Sequence, residues 1–259
     1  MVVVISGASS GIGESTAKYF SNKGDKVYSL SRRIKQDKDI TYLSCDITDI
    51  NQIKESIKKI IELEGKIDLL INNAGMGISG AVEYHSEDEI NKIINVNLVG
   101  LVNLTKEVTP YLRKSKGMII NISSVAGILA IPFQAMYSAS KAAIISFSDA
   151  LKNELRPFKV RVTSVLPGDT KTGFTEAREK SLDHNEYGDR INNSVSKMEK
   201  DEQKGVSPIK VSKVIYKVSK KKNPNTYYIV GFSYKLLVFL SRILPKRLVN
   251  YILYKLYGN

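Results

Sequence analysis

The chain has 259 residues, 42% hydrophobic and 25% charged, which fits one α/β domain with a sizeable core and excludes a disordered or fibrous chain. Its single cysteine, Cys45, excludes an internal disulfide and suits a reducing compartment, and His85 and His184 stand without ligand spacing, so no metal is expected. The net charge is +13, and no Asp or Glu occurs from Lys204 onward; nucleic acid, anionic lipid or an acidic substrate handle would each meet such a surface, though no nucleic-acid module is visible.

No n-region precedes Val2, so a secretory leader is not expected and a cytoplasmic location is. The run 2–5 is a short apolar stretch of the kind buried in a parallel sheet. Ser6-Gly7-Ala8-Ser9-Ser10-Gly11-Ile12-Gly13 follows, then a helical pattern to Lys23 closed by Gly24. Strand, glycine-rich turn and helix let the backbone approach a dinucleotide pyrophosphate at a helix N-terminus. Gly7, Ser9, Ser10, Gly11, Ile12 and Gly13 are the candidate contacts, in the spacing Gly-x-x-x-Gly-x-Gly.

The second apolar run, 27–30, leads into Ser31-Arg32-Arg33, with no acid until Asp37. An NAD site usually places Asp or Glu here for the ribose 2′-hydroxyl, whereas Arg suits a 2′-phosphate. Arg32 and Arg33 therefore point to NADP(H). Further runs at 40–43, 67–71, 118–122, 160–166 and 227–230 complete seven predicted strands, and helical patterns alternate with most of them. Gly65 closes a helix from about residue 50 to 63, Ser86-Glu87-Asp88-Glu89 is a capping box, and Ser207-Pro208 opens a further helix. The pattern predicts an α/β fold, a doubly wound parallel sheet of Rossmann type over residues 1–231.

Tyr137 and Lys141 lie four apart on a helix predicted from 136 to 155 and project from one face. A phenol titrates near 10, and a neighbouring ammonium favours its ionised form, giving an expected acid–base pair. Among 14 tyrosines the pair alone reads more readily as a packed Tyr beside an exposed Lys.

The glycine turn, Asn72-Asn73-Ala74-Gly75, Asn97, Ser124 and Tyr137 with Lys141 together resemble the short-chain dehydrogenase/reductase family, over roughly residues 1 to 230. Ser124 stands thirteen positions before Tyr137, Pro167-Gly168 matches the family's Pro-Gly after the sixth strand, and Ser6 stands where the family usually has Thr. The resemblance implies interconversion of a ketone and a secondary alcohol, with no metal. Tyr137 would exchange the proton with the substrate oxygen, Ser124 would bond that oxygen, and Lys141 would tune Tyr137 and hold the nicotinamide ribose. Asn97, rather than Asn95, would support a water linking Lys141 to solvent. Asp46 and Ile47 would contact adenine; Asn73, Ala74, Gly75, Pro167, Gly168, Thr170 and Thr172 would complete the cofactor site. Gln134 and Phe174, with Ser124, Tyr137, Met76 and Ile78, are the expected substrate pocket. A homodimer or homotetramer is implied.

Two segments exceed a minimal sheet. Residues 169–205, long and charged, are expected to form a lid. Residues 232–259 read as two apolar helices broken near Pro245 and flanked by Lys235, Arg242, Lys246 and Arg247. These charges interrupt any spanning length, leaving an interfacial amphipathic anchor on an anionic membrane, or helices packed over the cleft or a second subunit. The leading reading is NADPH-dependent reduction of a lipophilic ketone. The alternatives are a 3-oxoacyl thioester reductase, an NADPH-binding sensor and a peripheral membrane-interaction protein.

Overall fold

The computed structural model describes residues 1–180 and 185–259; residues 181–184, with His184 and part of the 169–205 segment, lie outside the described residues. In chain order the elements begin with β1 (Val2–Ser6), α1 (Gly11–Ser21), β2 (Lys26–Ser31), β3 (Ile40–Ser44), α2 (Ile50–Glu64) and β4 (Leu69–Asn72). They continue with β5 (Ile78–Ser79), α3 (Glu87–Ile94), α4 (Gly100–Ser115), β6 (Met118–Ile122), α5 (Ala135–Glu154) and β7 (Arg161–Pro167). The last are β8 (Glu179–Lys180), α6 (Arg190–Gln203), α7 (Pro208–Ser219), β9 (Tyr227–Val230), α8 (Phe232–Ile243) and α9 (Lys246–Tyr257).

Among the described residues, seven strands form one sheet in the order β3-β2-β1-β4-β6-β7-β9, every pair parallel. A sheet covered on both faces needs apolar residues at consecutive positions, and all five residues of β1 are buried. Alternate side chains serve opposite faces. Val2 and Val4 join Ile53, Leu104 and Leu151 from α2, α4 and α5, while Val3 and Ile5 join Phe20, Val211 and Ile215 from α1 and α7. Each fully buried side chain of this size contributes about 1.5–3 kcal/mol.

Local chemistry sets the helix ends. Asp49 caps α2, accepting from the Asn51 and Gln52 amides, and Gly65 ends it at φ 68°. The capping box at Ser86 and Glu89 forms reciprocally at the start of α3, and Ser207 caps α7 with Pro208 at its first position. A third cluster joins Val125, Leu129 and Leu166 to Val238 of α8 and Val249 of α9, so the C-terminal helices pack on the β7 side of the sheet. β5 and β8 pair in a separate parallel ribbon that the sequence pattern does not predict. The order in which strands are added reverses between β1 and β4, and the crevice at the carboxyl ends of the strands there is where a doubly wound sheet binds ligands.

Candidate active site

A cleft of about 580 Å³ opens at that crevice. The turn after β1 forms one wall. Gly7 and Gly11 have φ of 68° and 57°, a region that side chains rarely adopt. A Cβ on Gly7 would lie 2.7 Å from Ala74 Cα; one on Gly13 would lie 2.4 Å from both the Gly7 carbonyl oxygen and Asn73 Nδ2. The turn is thus sealed against the segment after β4. Ser6 Oγ accepts the Asn73 and Ala74 amides at 3.0 and 3.1 Å, and Asn73 Nδ2 donates to the Ser6 and Gly7 carbonyls. Ser10 stands at the N-cap of α1 without a side-chain cap, leaving the first-turn amides open toward the cleft that Ser9, Ser10, Gly11 and Ile12 line. Such a cradle, too tight for a Cβ at Gly7 or Gly13 and headed by a positive helix end, fits a dinucleotide pyrophosphate.

At the adenine end, Arg32 and Arg33 emerge from β2 into solvent at the cleft edge. The Arg32 guanidinium lies 4.0 Å from the Asp46 carboxylate and is 76% exposed. Asp46 Oδ1 accepts the Thr48 amide and hydroxyl, and buried Ile47 lines the cleft beside it.

At the other end, α5 carries Tyr137 and Lys141, and Ser124 follows β6. Lys141 Nζ donates to the Ile122 carbonyl at 3.2 Å and lies 5.6 Å from the Tyr137 ring centre. Ser124 caps a short turn, accepting the Ala126 amide at 3.1 Å, and its hydroxyl favours the ionised form of Tyr137. Asn97 is fully buried in a wide π turn, Asn95–Val99, between α3 and α4. Its Oδ1 accepts the Met76 amide at 2.8 Å, and its Nδ2 donates to the Met76 carbonyl and Ser140 Oγ, both at 3.0 Å. A Cβ on Gly75 would lie 3.3 Å from Asn97 Oδ1 and 3.4 Å from Lys141 Nζ, so Gly75 leaves the narrow gap in which the two groups face each other.

Pro167, Gly168, Thr170 and Thr172 form the wall after β7, with Thr172 Cβ 3.4 Å from where a Gly11 Cβ would stand. Buried Gln134 donates to Ser79 Oγ at 3.3 Å, and the Phe174 ring centre lies 5.8 Å from that of Tyr137. The expected site residues line the cleft except Gly13, Asn97 and Ile78; Ile78 is instead buried in β5, where its main chain pairs with Glu179.

Burial works against the expected tuning of Tyr137. Desolvation pushes its phenol up to about 12, offset in part by the Ser124 hydrogen bond and the Arg178 charge and reinforced by Glu202 and Asp169. Tyr137 keeps some exposure to the open cleft, so the direction carries the meaning: the hydroxyl is held protonated. Burial likewise lowers Lys141 to about 8.

The wall opposite the glycine turn is built by the C-terminal helices, one of the placements the sequence left open, but the sequence named none of its side chains. Leu237 and Leu240 on α8, Leu244 just after it, and Ile252 and Leu256 on α9 line the cleft beyond Tyr137. Asp169 and Glu202 also reach it. Asp169 accepts from Tyr234, while Glu202 pairs with buried Arg178, whose guanidinium lies 5.7 Å from the Phe174 ring centre. Asp169's place directly after Pro167-Gly168 was the available signal; Glu202, far along the chain, offered none. Among the described residues no helix is long and apolar enough to cross a membrane, and no three His, Cys, Asp or Glu side chains gather as a metal site.

The family model of the short chain dehydrogenases matches residues 1–183. A 3-ketodihydrosphingosine reductase of Bacteroides thetaiotaomicron is 40% identical over 97% of this chain and 96% of its own. A 3-oxoacyl-[acyl-carrier-protein] reductase of Thermotoga maritima is 37% identical over 70% of this chain and 80% of its own. The crystal structure of a short-chain dehydrogenase from Streptomyces avermitilis superposes with a TM-score of 0.84 at 26% identity, covering 93% of this chain and 91% of that one. The chain belongs to the short-chain dehydrogenase/reductase family and is an oxidoreductase of that family.

Proposed function

We propose that this enzyme uses NADPH to reduce a lipophilic ketone to a secondary alcohol. The observation that carries the reading is the cleft itself, which runs from Tyr137 into an apolar channel walled by α8 and α9. Arg32 and Arg33 support NADPH over NADH, because two exposed guanidinium groups and no unpaired acid meet the place of a 2′-substituent. When bound, the dihydronicotinamide supplies the hydride. Tyr137, neutral at physiological pH, gives its proton to the carbonyl oxygen, and Ser124 donates a second hydrogen bond there. Lys141 stabilises the resulting phenolate and holds the ribose; Asn97 fixes the Gly75–Met76 backbone and supports the solvent path by which Tyr137 recovers its proton.

The Bacteroides relative supports a long-chain 3-keto substrate, and the Asp169 and Glu202 carboxylates beside Tyr137 suit a carbonyl compound bearing hydroxyl or amino donors near the ketone. The Thermotoga relative favours a second reading, reduction of a 3-oxoacyl thioester, for which the basic surface would recruit an acidic carrier. The catalytic domain, residues 1–231, with residues 169–205 as its lid, would work in the cytoplasm as two or four copies. Residues 232–259 would add a peripheral contact with anionic membrane.

The test is loss of nicotinamide absorbance with NADPH and a panel comprising a long-chain 2-amino-3-ketone, its deaminated analogue, a 3-oxoacyl thioester and a short soluble ketone. Faster turnover of the long-chain ketones than of the thioester supports the reading; thioester preference favours the second; inertness toward all four refutes both. Light scattering reads the assembly.

A further inference from the structure

The C-terminal hairpin has two apolar sides, and only one of them is satisfied by the fold. Val238 and Val249 are buried against Leu129 and Leu166. On the other side Phe232, Leu236, Phe239, Ile243, Leu248 and Tyr251 are exposed, Phe232 by 86% and Ile243 by 64%. Such contiguous exposure in so short a segment marks an interaction surface rather than scattered surface leucines. Between the sides stand Leu237, Leu240, Ile252 and Leu256. They line the cleft and yet remain 38–47% exposed, so they form its mouth. The mouth therefore opens on the same face as the unsatisfied apolar surface.

Charge points to the occupant. Lys235, Arg242, Lys246, Arg247 and Lys255 are exposed on these two helices, and no carboxylate side chain follows Glu202 in the sequence. Two twelve-residue helices are too short to span a bilayer but long enough to lie in its interface, the apolar side sunk below the headgroups and the basic side chains among them. A second copy of this chain would bring the same basic groups against one another, whereas an anionic leaflet neutralises them.

We propose that α8 and α9 dock the enzyme on an anionic membrane leaflet with the mouth of the active-site cleft facing the acyl chains, so that a single-chain ketone enters laterally from the bilayer. This rests on the reading of the cleft as a lipophilic ketone site. Leu237, Leu240, Ile252 and Leu256 continue the apolar environment of the leaflet into the channel, and the ketone reaches Tyr137 without its alkyl chain crossing water.

Docking is read without turnover. The chain contains no tryptophan, so the full-length Leu240→Trp variant carries one indole, at the mouth. Its fluorescence is quenched by phosphatidylglycerol vesicles brominated on the acyl chains and is unchanged with phosphatidylcholine vesicles. The wild-type protein co-sediments with the anionic vesicles, and affinity falls roughly fivefold for each basic side chain of the hairpin replaced by Gln. The double variant Phe239→Glu, Ile243→Glu changes residues outside the cleft wall. It keeps wild-type turnover of a short soluble ketone and loses at least tenfold on a long-chain ketone held in vesicles. The proposal is overturned if the wild-type protein ignores anionic vesicles, if vesicle binding leaves the indole unquenched, if the double variant reduces the vesicle-held ketone at the wild-type rate, or if light scattering shows that variant dissociating a dimer whose interface is this face. Inertness toward every ketone with quenching intact would sink the proposed chemistry and lateral entry with it, while the docking read by quenching would stand.

Discussion

Replacing Arg32 and Arg33 together with Ala tests the cofactor assignment at the place where the structure gives a magnitude. Hydrogen bonds to a charged group contribute about 1.5–3 kcal/mol, and exposed ion pairs about 0.2–1 kcal/mol. Arg32 is 76% exposed and already lies 4.0 Å from Asp46, so its pairing with a 2′-phosphate falls between these ranges, at about 1–1.5 kcal/mol. Arg33, also exposed, adds a similar amount. The double variant should lose about 2–3 kcal/mol toward NADPH, roughly 30- to 150-fold in Kd, while NADH, without the phosphate, changes by less than about threefold. Titration of reduced-nicotinamide fluorescence gives both constants, and the wild-type preference should shrink as salt is raised. Equal weakening of both cofactors, or a wild-type protein indifferent between them, would refute the reasoning.

Tyr137→Phe removes the proton donor and should lower kcat by about 10²–10⁴ with the NADPH Kd within a few-fold; near-normal turnover in a stopped-flow assay would end the assignment. Lys141 is charged below about pH 8 and neutral above it, whereas Tyr137 stays protonated to about 12. The kcat/KM for reduction should therefore be level at lower pH and fall as pH rises through about 8, and a profile flat to about pH 10 would contradict this. Gly13→Ala forces a methyl within 2.4 Å of the Gly7 carbonyl, a clash of backbone type that should cost about 1–3 kcal/mol and roughly 3–10 °C in Tm, together with cofactor affinity, by calorimetry and titration.

What could be read from the sequence was chemistry that acts over a few residues. Strands buried on both faces must be apolar throughout, so the predicted runs fall within two residues of the strands, as with 160–166 against Arg161–Pro167. Caps were legible for the same reason: Gly65 is needed at positive φ, and Ser86 with Glu89 binds its own backbone. The cradle was legible because only glycine fits at Gly7 and Gly13. The upward shift of Tyr137 was not, since burial arises from distant segments folding over it. The tail was half legible: its apolar and basic content was plain, but a helix apolar on two sides does not say which side packs. One of the expected alternatives is met, because one side of the hairpin walls the cleft; the other side stays exposed.

The ribbon of β5 and β8 is a clasp made of main chain. It joins the loop after β4 to the chain beyond Gly168 through main-chain pairing of Ile78 with Glu179 and Ser79 with Lys180, extended by the Glu179 amide to the Gly77 carbonyl at 3.1 Å. Met76, next in line, is held by Asn97, which shares the Gly75 gap with Lys141. The two sides of the cleft are thus clasped by amides and carbonyls that are indifferent to the side chains they carry. Chains with quite different letters at these four positions can keep the same clasp, so likeness of sequence there is no measure of likeness of shape. Proline is the exception: at position 179 it would remove the amide that reaches Gly77 and unfasten the two loops while leaving every reacting group in place.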